Sequence, residues 1–288
     1  MATPDLWVTE RHDEGSGITL KVNRSLYHAQ SPFQTVDIFE TESFGRILML
    51  DGLMMTTERD EFIYHELISH VPLLAHPNPK RVLVIGGGDG GTVREVLKHP
   101  SVETVVLCEI DGLVVEACKE FLPTIACGLD DPRVQINIED AVAYMARRPQ
   151  PFDVILIDST DPMGPGEGLF TEAFYQDVLA SLTEHGIMAA QSESPISDQR
   201  EMRMMYALLR KVFPLVTTYV APLPTYPGGM WSWAFCSNGI TPFEQLRLDA
   251  AADLEKTTRY YNQQVHTALF ALPNFVRELT GAAQPVPC

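Results

Sequence analysis

Five short, largely apolar runs, each followed by a stretch suited to helix, constrain this chain more than any other feature: Arg81–Ile85, Thr104–Cys108, Val134–Ile138, Phe152–Ile157 and Gly186–Ala190. A strand with one wet face alternates polar and apolar residues, whereas a strand that is apolar throughout must be covered on both faces. Runs of this kind separated by helical segments predict an α/β fold built on a doubly wound, mostly parallel sheet. Val216–Val220 and Met230–Phe235 are further strand candidates that suit antiparallel addition. Earlier in the chain, Ile18–Val22, Thr35–Phe39 and Arg46–Leu50 lie between turn signals such as Gly45 and Asp51–Gly52. Asp60–Val71 then carries Phe62, Ile63, Leu67 and Val71 at helical spacing, leading to Pro72. The expected organisation is a small β domain with a closing helix over residues 1–72, then an α/β domain over residues 73–288. Pro72, Pro77 and Pro79 mark the joint.

Composition narrows the partners. With 38 acidic against 21 basic side chains the formal net charge is -17, which argues against nucleic acid and against an anionic membrane surface. The first residues lack a basic segment followed by an apolar run, and no stretch has the roughly 18 apolar residues of a membrane span, so a cytoplasmic location is expected. Cys108, Cys118, Cys127, Cys236 and Cys288 form no CxxC pair and no cysteine–histidine ligand spacing. Reduced thiols and no structural metal are expected. Leu6, Trp7 and Val8 are expected to cover their own domain, with packing against a partner subunit as the alternative.

The first apolar run leads directly into Gly86-Gly-Gly-Asp-Gly-Gly91, and Thr92–Leu97 follows with helical character. Glycines such as Gly86 and Gly88 let a backbone turn sharply and approach a ligand. Glu109 ends the second run, 23 residues beyond Gly86, where an acidic side chain can accept both hydroxyls of a ribose. A dinucleotide and an adenosyl group both fit that pattern. Asp140 follows the third run and can accept from an adenine amino group; Asp158 ends the fourth. In open α/β sheets ligands sit beyond the carboxyl ends of the strands, so these acids share one edge.

Two further features concern charge. Asp158 and Asp161 stand three residues apart on a loop rich in proline and glycine, a pair suited to a cationic amine or, through oxygen ligands alone, to a metal ion, with no histidine close by in sequence to complete a ligand set. Asp89 occupies the glycine loop, where helix N-terminal amides would otherwise favour the carboxylate of intact S-adenosylmethionine. A resident carboxylate repels that group and welcomes an ammonium, which points to the decarboxylated form.

Taken together, Gly86–Gly90, Glu109–Asp111, the loop Asp158–Pro165, Thr57–Glu66 and Arg259–Thr267 resemble the spermidine synthases, over nearly the whole chain. Gln191–Pro195 fits the same family's fifth-strand pattern. The resemblance implies a methyltransferase-like Rossmann sheet preceded by a small β domain, a homodimer or homotetramer, and no metal. It implies transfer of an aminopropyl group from decarboxylated S-adenosylmethionine to a diamine such as putrescine. By position, Gln34, Glu109, Asp140, Ala141 and Pro165 would contact the adenosyl thioether, and Asp89 would hold the aminopropyl ammonium. Tyr64, His65, Asp158, Asp161 and Tyr226 would line the diamine pocket, with Asp158 as proton acceptor. Ala141 stands where many relatives have glycine, a change that recognition through the backbone tolerates. A methyltransferase using the intact cofactor and a non-catalytic polyamine-binding protein are the alternative readings.

Overall fold

The computed structural model describes residues 5–12, 14–160 and 164–281. The first sheet is antiparallel, with β1 (Leu6–Arg11), β2 (Gly17–Gln30), β3 (Thr35–Thr41), β4 (Gly45–Leu50) and β5 (Leu53–Thr57) side by side in chain order. Leu50 pairs with Leu53 around Asp51 and Gly52, whose φ angles of 50° and 85° fit the tight two-residue turn that matches strand twist. Strands β1 and β5 go beyond the three runs visible in the sequence. Val8 packs with Leu20, Ile47, Met49 and Met54, but Leu6 and Trp7 are 56% and 57% exposed, contrary to the expectation that all three cover their own domain.

Helix α1 (Glu61–Ala75) is buried on nearly every side. Its Leu67, Ile68, Val71 and Leu74 join Tyr219, Trp233 and Phe235, while its polar residues find partners inside the protein. Glu66 accepts from the backbone N–H groups of Arg259, Tyr260 and Tyr261 at 2.7, 2.8 and 2.8 Å, so a buried carboxylate anchors the late Arg259–Tyr261 segment. The helix does not stop at Pro72 but runs to Ala75. Its terminal carbonyls are taken up by Arg247, whose N–H donates to Leu74 and whose Nη2 donates to Leu73.

The second sheet contains β6 (Arg81–Gly86), β7 (Thr104–Glu109), β8 (Val134–Ile138), β9 (Phe152–Asp158), β10 (Leu182–Gln191), β11 (Leu215–Pro222) and β12 (Met230–Ser237). Their order is β11-β12-β10-β9-β6-β7-β8, with β12 antiparallel to both its neighbours and the remaining pairs parallel. Helices α2 (Gly91–Leu97), α3 (Gly112–Phe121), α4 (Ala141–Ala146), α5 (Glu172–Ala180), α6 (Gln199–Val212), α7 (Leu248–Leu254), α8 (Gln263–Ala268) and α9 (Asn274–Thr280) complete the chain.

The apolar runs are explained by cover on both faces. Leu83, Ile85, Val106, Ile155 and Ile157 pack with Met145, Phe174, Met205 and Val276 of α4, α5, α6 and α9. The alternate residues Val82, Val84, Val105, Val154 and Leu156 pack with Val93, Val96, Val115 and Cys118 of α2 and α3. Strand order reverses between β6 and its two neighbours β7 and β9, which opens a crevice at the carboxyl ends of these strands. Cys108, Cys118, Cys127 and Cys236 are free, and among the described residues no helix is long and apolar enough to cross a membrane.

Candidate active site

A cavity of about 290 Å³ occupies that crevice, with Leu48, Leu50 and Met54 of the first sheet in its wall. The sheet positions the acids directly. Glu109 and Asp158 end β7 and β9, Gly86 is the register partner of Asp158, and Asp140 follows β8. All four residues line the cavity, as do Gly88, Asp89, Gln34, Tyr64, His65, Ala141 and Tyr226. Asp161 lies outside the described residues, and Pro165 falls in a short 3₁₀ turn over Gly164–Leu169.

Asp158 is held by two hydroxyls: Tyr64 donates to Oδ1 at 2.7 Å and Thr92 donates to Oδ2 at 2.6 Å. Burial raises its pKa above the ordinary carboxylate value, the charge of Asp89 adds to the effect, and His65 and the two hydroxyls oppose it. Asp89 accepts the N–H of Gly91 at 2.8 Å, and its second oxygen is 3.4 Å from His65 Nε2. Burial alone would raise Asp89, but His65 and the Gly91 amide outweigh it and keep the carboxyl lowered.

At the carboxyl end of β7, burial pushes Glu109 up to about 7 despite the 2.8 Å bond that it accepts from the N–H of Asp111. Gln34 donates to Asp111 Oδ2 at 3.0 Å, and Asp111 caps α3 through Leu113. Asp140 is exposed and caps α4, accepting from Val142 at 2.8 Å. Tyr226 donates its hydroxyl to the carbonyl of Met55, and its ring meets Trp231 edge to face at 4.7 Å. Among the described residues no group of three or more histidine, cysteine or acidic side chains is arranged to hold a metal ion.

The structure adds residues that sequence reasoning missed. Glu10 of β1 lines the cavity, buried and accepting from the N–H of Met54 at 2.8 Å. Gln191 lines it too, with its amide fixed between the backbone and side chain of Glu193. A polar residue at the carboxyl end of a parallel strand was the signal that marked Glu109 and Asp158, and it applies equally to Gln191. Glu10 carries no comparable signal, since only the pairing of β1 brings it near.

Comparison with known proteins bears on this geometry. The family model for the spermine/spermidine synthase domain matches residues 61–246, and that for the spermidine synthase tetramerisation domain matches residues 6–58. A polyamine aminopropyltransferase of Thermotoga petrophila is 49% identical over 278 residues, which cover 96% of this chain and 94% of the relative. One from Shouchella clausii is 46% identical, covering 96% and 99%. Among solved structures, spermidine synthase in complex with the transition state analogue AdoDATO superposes with a TM-score of 0.93 at 48% identity, covering 96% and 95%. Spermidine synthase from Thermotoga maritima gives 0.90 at 46% identity, covering 96% and 94%. With both family models spanning the two sheets and relatives matched along almost their full length, the chain belongs to the spermine/spermidine synthase family.

Proposed function

We propose that the chain transfers the aminopropyl group of decarboxylated S-adenosylmethionine to putrescine, giving spermidine and methylthioadenosine. The observation that carries this reading is the buried carboxylate of Asp89 in the glycine loop, facing the same cavity as Glu109 and Asp158. Glu109 accepts the ribose hydroxyls, Asp140 and Ala141 meet the adenine, and Gln34 and Pro165 complete the nucleoside pocket. Asp89 holds the ammonium of the aminopropyl arm. Tyr64, His65, Asp161 and Tyr226 receive the diamine beside Asp158.

In the reaction a neutral amine nitrogen attacks the carbon bound to the sulfonium. The carbon–sulfur bond breaks with its electron pair going to sulfur, and the new ammonium loses one proton to Asp158. An alkyl amine has a pKa near 10.4, so presenting it neutral at pH 7 costs roughly 4 to 5 kcal/mol. The nearby sulfonium and burial both disfavour the ammonium at the attacking end. Burial also makes Asp158 a stronger base than an exposed carboxylate, and the hydroxyls of Tyr64 and Thr92 fix its direction. Holding nitrogen and carbon in line supplies much of the remaining acceleration.

The reading extends to assembly and location. The exposed Leu6 and Trp7 on edge strand β1 support association through the first sheet into a homodimer or homotetramer. Free thiols support a cytoplasmic location. The test is to mix the protein with decarboxylated S-adenosylmethionine and a panel of diamines, then follow methylthioadenosine and products by mass spectrometry. Spermidine formed fastest with putrescine is the expected result; methyl transfer from the intact cofactor would overturn it.

A further inference from the structure

His65 stands between two carboxylates. Its Nδ1 is 2.5 Å from Glu61 Oε2 and its Nε2 is 3.4 Å from Asp89 Oδ2, with side-chain exposures of 4%, 7% and 10% for His65, Glu61 and Asp89. An ionised carboxylate only accepts hydrogen bonds, and a neutral imidazole has one nitrogen that only accepts. A neutral ring would therefore aim a lone pair at one of the two carboxylates in a buried setting. Without ligand, the arrangement calls for the imidazolium.

The ring has little freedom to escape this arrangement. Arg94 grips Glu61 with both terminal nitrogens, at 3.1 Å to Oε1 and 2.8 Å to Oε2, and its own Nε donates to Glu95 at 2.8 Å. On another side the ring lies against Gly91, where a Cβ would come within 2.3 Å of it. The titratable and charged groups around it are Glu61 and Tyr64 on its own helix, Asp89 in the glycine loop, Arg94 on α2 and Asp158 at the end of β9.

We infer that Glu61 and Arg94 are positioning residues that let the Asp89 site exchange a proton for an ammonium. When the aminopropyl ammonium docks on Asp89, His65 releases its Nε2 proton to solvent and turns the freed lone pair toward that ammonium. The other proton stays on Nδ1 against Glu61, so one cation replaces another and the pocket's net charge from this exchange is unchanged. Burial lowers the His65 pKa, but Asp89 and Glu61 outweigh it and raise the ring well above its ordinary value, so the proton is present at neutral pH in the free protein. A second cation on Asp89 removes that support by repulsion. Glu61 selects the tautomer, because without it either nitrogen could keep the remaining proton. This inference rests on the reading of Asp89 as the ammonium's anchor.

The test is calorimetric binding at pH 8 in two buffers of different ionisation heat, comparing decarboxylated S-adenosylmethionine with methylthioadenosine, which lacks the ammonium. The decarboxylated cofactor is expected to release more protons than the nucleoside, by on the order of half to one per site. The excess should vanish in His65→Gln and shrink in Glu61→Gln, whereas a merely structural loss would weaken both ligands alike and leave the proton count unchanged. Equal release by the two ligands, with Asp89→Asn still weakening only the decarboxylated one, overturns the exchange and leaves the anchor reading intact. Binding of the decarboxylated cofactor that ignores Asp89→Asn overturns the anchor itself. Should Glu61→Gln not fold, NMR titration of the His65 ring in the wild type decides: the remaining proton on Nδ1 in the bound form is expected, and a proton on Nε2 overturns the role of Glu61.

Discussion

A Cβ on Gly86 would stand 2.2 Å from the carbonyl oxygen of Asp158, its register partner across β6 and β9. Gly86 also has a φ of 75°, a conformation that side chains rarely adopt. Close approach of these two backbones fixes the start of the glycine loop against Asp158, the proposed proton acceptor. Gly86→Ala is expected to lose about 1–3 kcal/mol of stability from strain, with turnover reduced as Asp158 shifts. Thermal unfolding and kcat measure both, and a variant matching wild type in each would show that the contact is dispensable.

Asp158→Asn removes the proposed base while keeping a side chain of the same shape. Turnover is expected to fall by about 10²-fold or more, as for loss of a general base, with methylthioadenosine binding nearly unchanged. Steady-state kinetics within a factor of a few of wild type would take Asp158 out of that role.

Thr92→Val deletes one hydroxyl donor to Asp158 at nearly constant volume. Losing a hydrogen bond that favours the ionised form raises the carboxyl's pKa further. The base must be ionised to act, so the acid limb of the kcat–pH profile is expected to move to higher pH. An unmoved limb would mean that Thr92 does not tune Asp158.

Asp89→Asn keeps the Gly91 contact within reach but removes the charge. Binding of decarboxylated S-adenosylmethionine is expected to weaken by about 1.5–3 kcal/mol, while methylthioadenosine is scarcely affected. Calorimetry with the two ligands distinguishes this from a general loss of the pocket, which would weaken both.

Glu109 is a group whose burial carries an energetic cost. Its carboxyl lies at about 7 against an ordinary 4.5, so between these values the folded chain binds more protons than the unfolded chain. Stability from this group therefore falls as pH rises from about 4.5 to about 7, and the full cost of about 3 kcal/mol is present above that range. Glu109→Gln should melt above wild type at pH 8 and close to it at pH 4. Its affinity for methylthioadenosine should nonetheless be lower, because the amide offers one acceptor oxygen where the carboxylate offers two. Wild-type affinity should likewise decline below pH 7 as the free carboxyl becomes protonated.

Much of this site could be read from the chain because its acids obey a local rule. Glu109 and Asp158 each close an apolar run, and such runs fix both the strand and the edge on which its last residue emerges. The partners of these residues obey no local rule. Thr92 meets Asp158 from 66 positions away, and Glu10 meets Met54 from 44, through packing that periodicity does not encode. Helix α1 is the clearest case: its apolar spacing suggested a single covered face, yet Glu61, His65, Glu66 and His70 are buried as well. Each is matched by a group from a distant segment, so the sequence pattern shows the apolar half of the packing and leaves the polar half unseen. Strand β5, Leu53–Thr57, lacks alternation and owes its form to the pairing with β4.

The turn at Asp51 and Gly52 acts as a ruler for the binding chamber. Along β4, Leu48 and Leu50 reach the cavity while Ile47 and Met49 point into the small apolar cluster beneath β1 and β2. Because side chains alternate along a strand, inserting a single residue between Leu50 and Asp51 would exchange the two sets and turn the chamber's ceiling inside out. The shape offered to a ligand at the edge of one sheet is thus counted out, residue by residue, in the other.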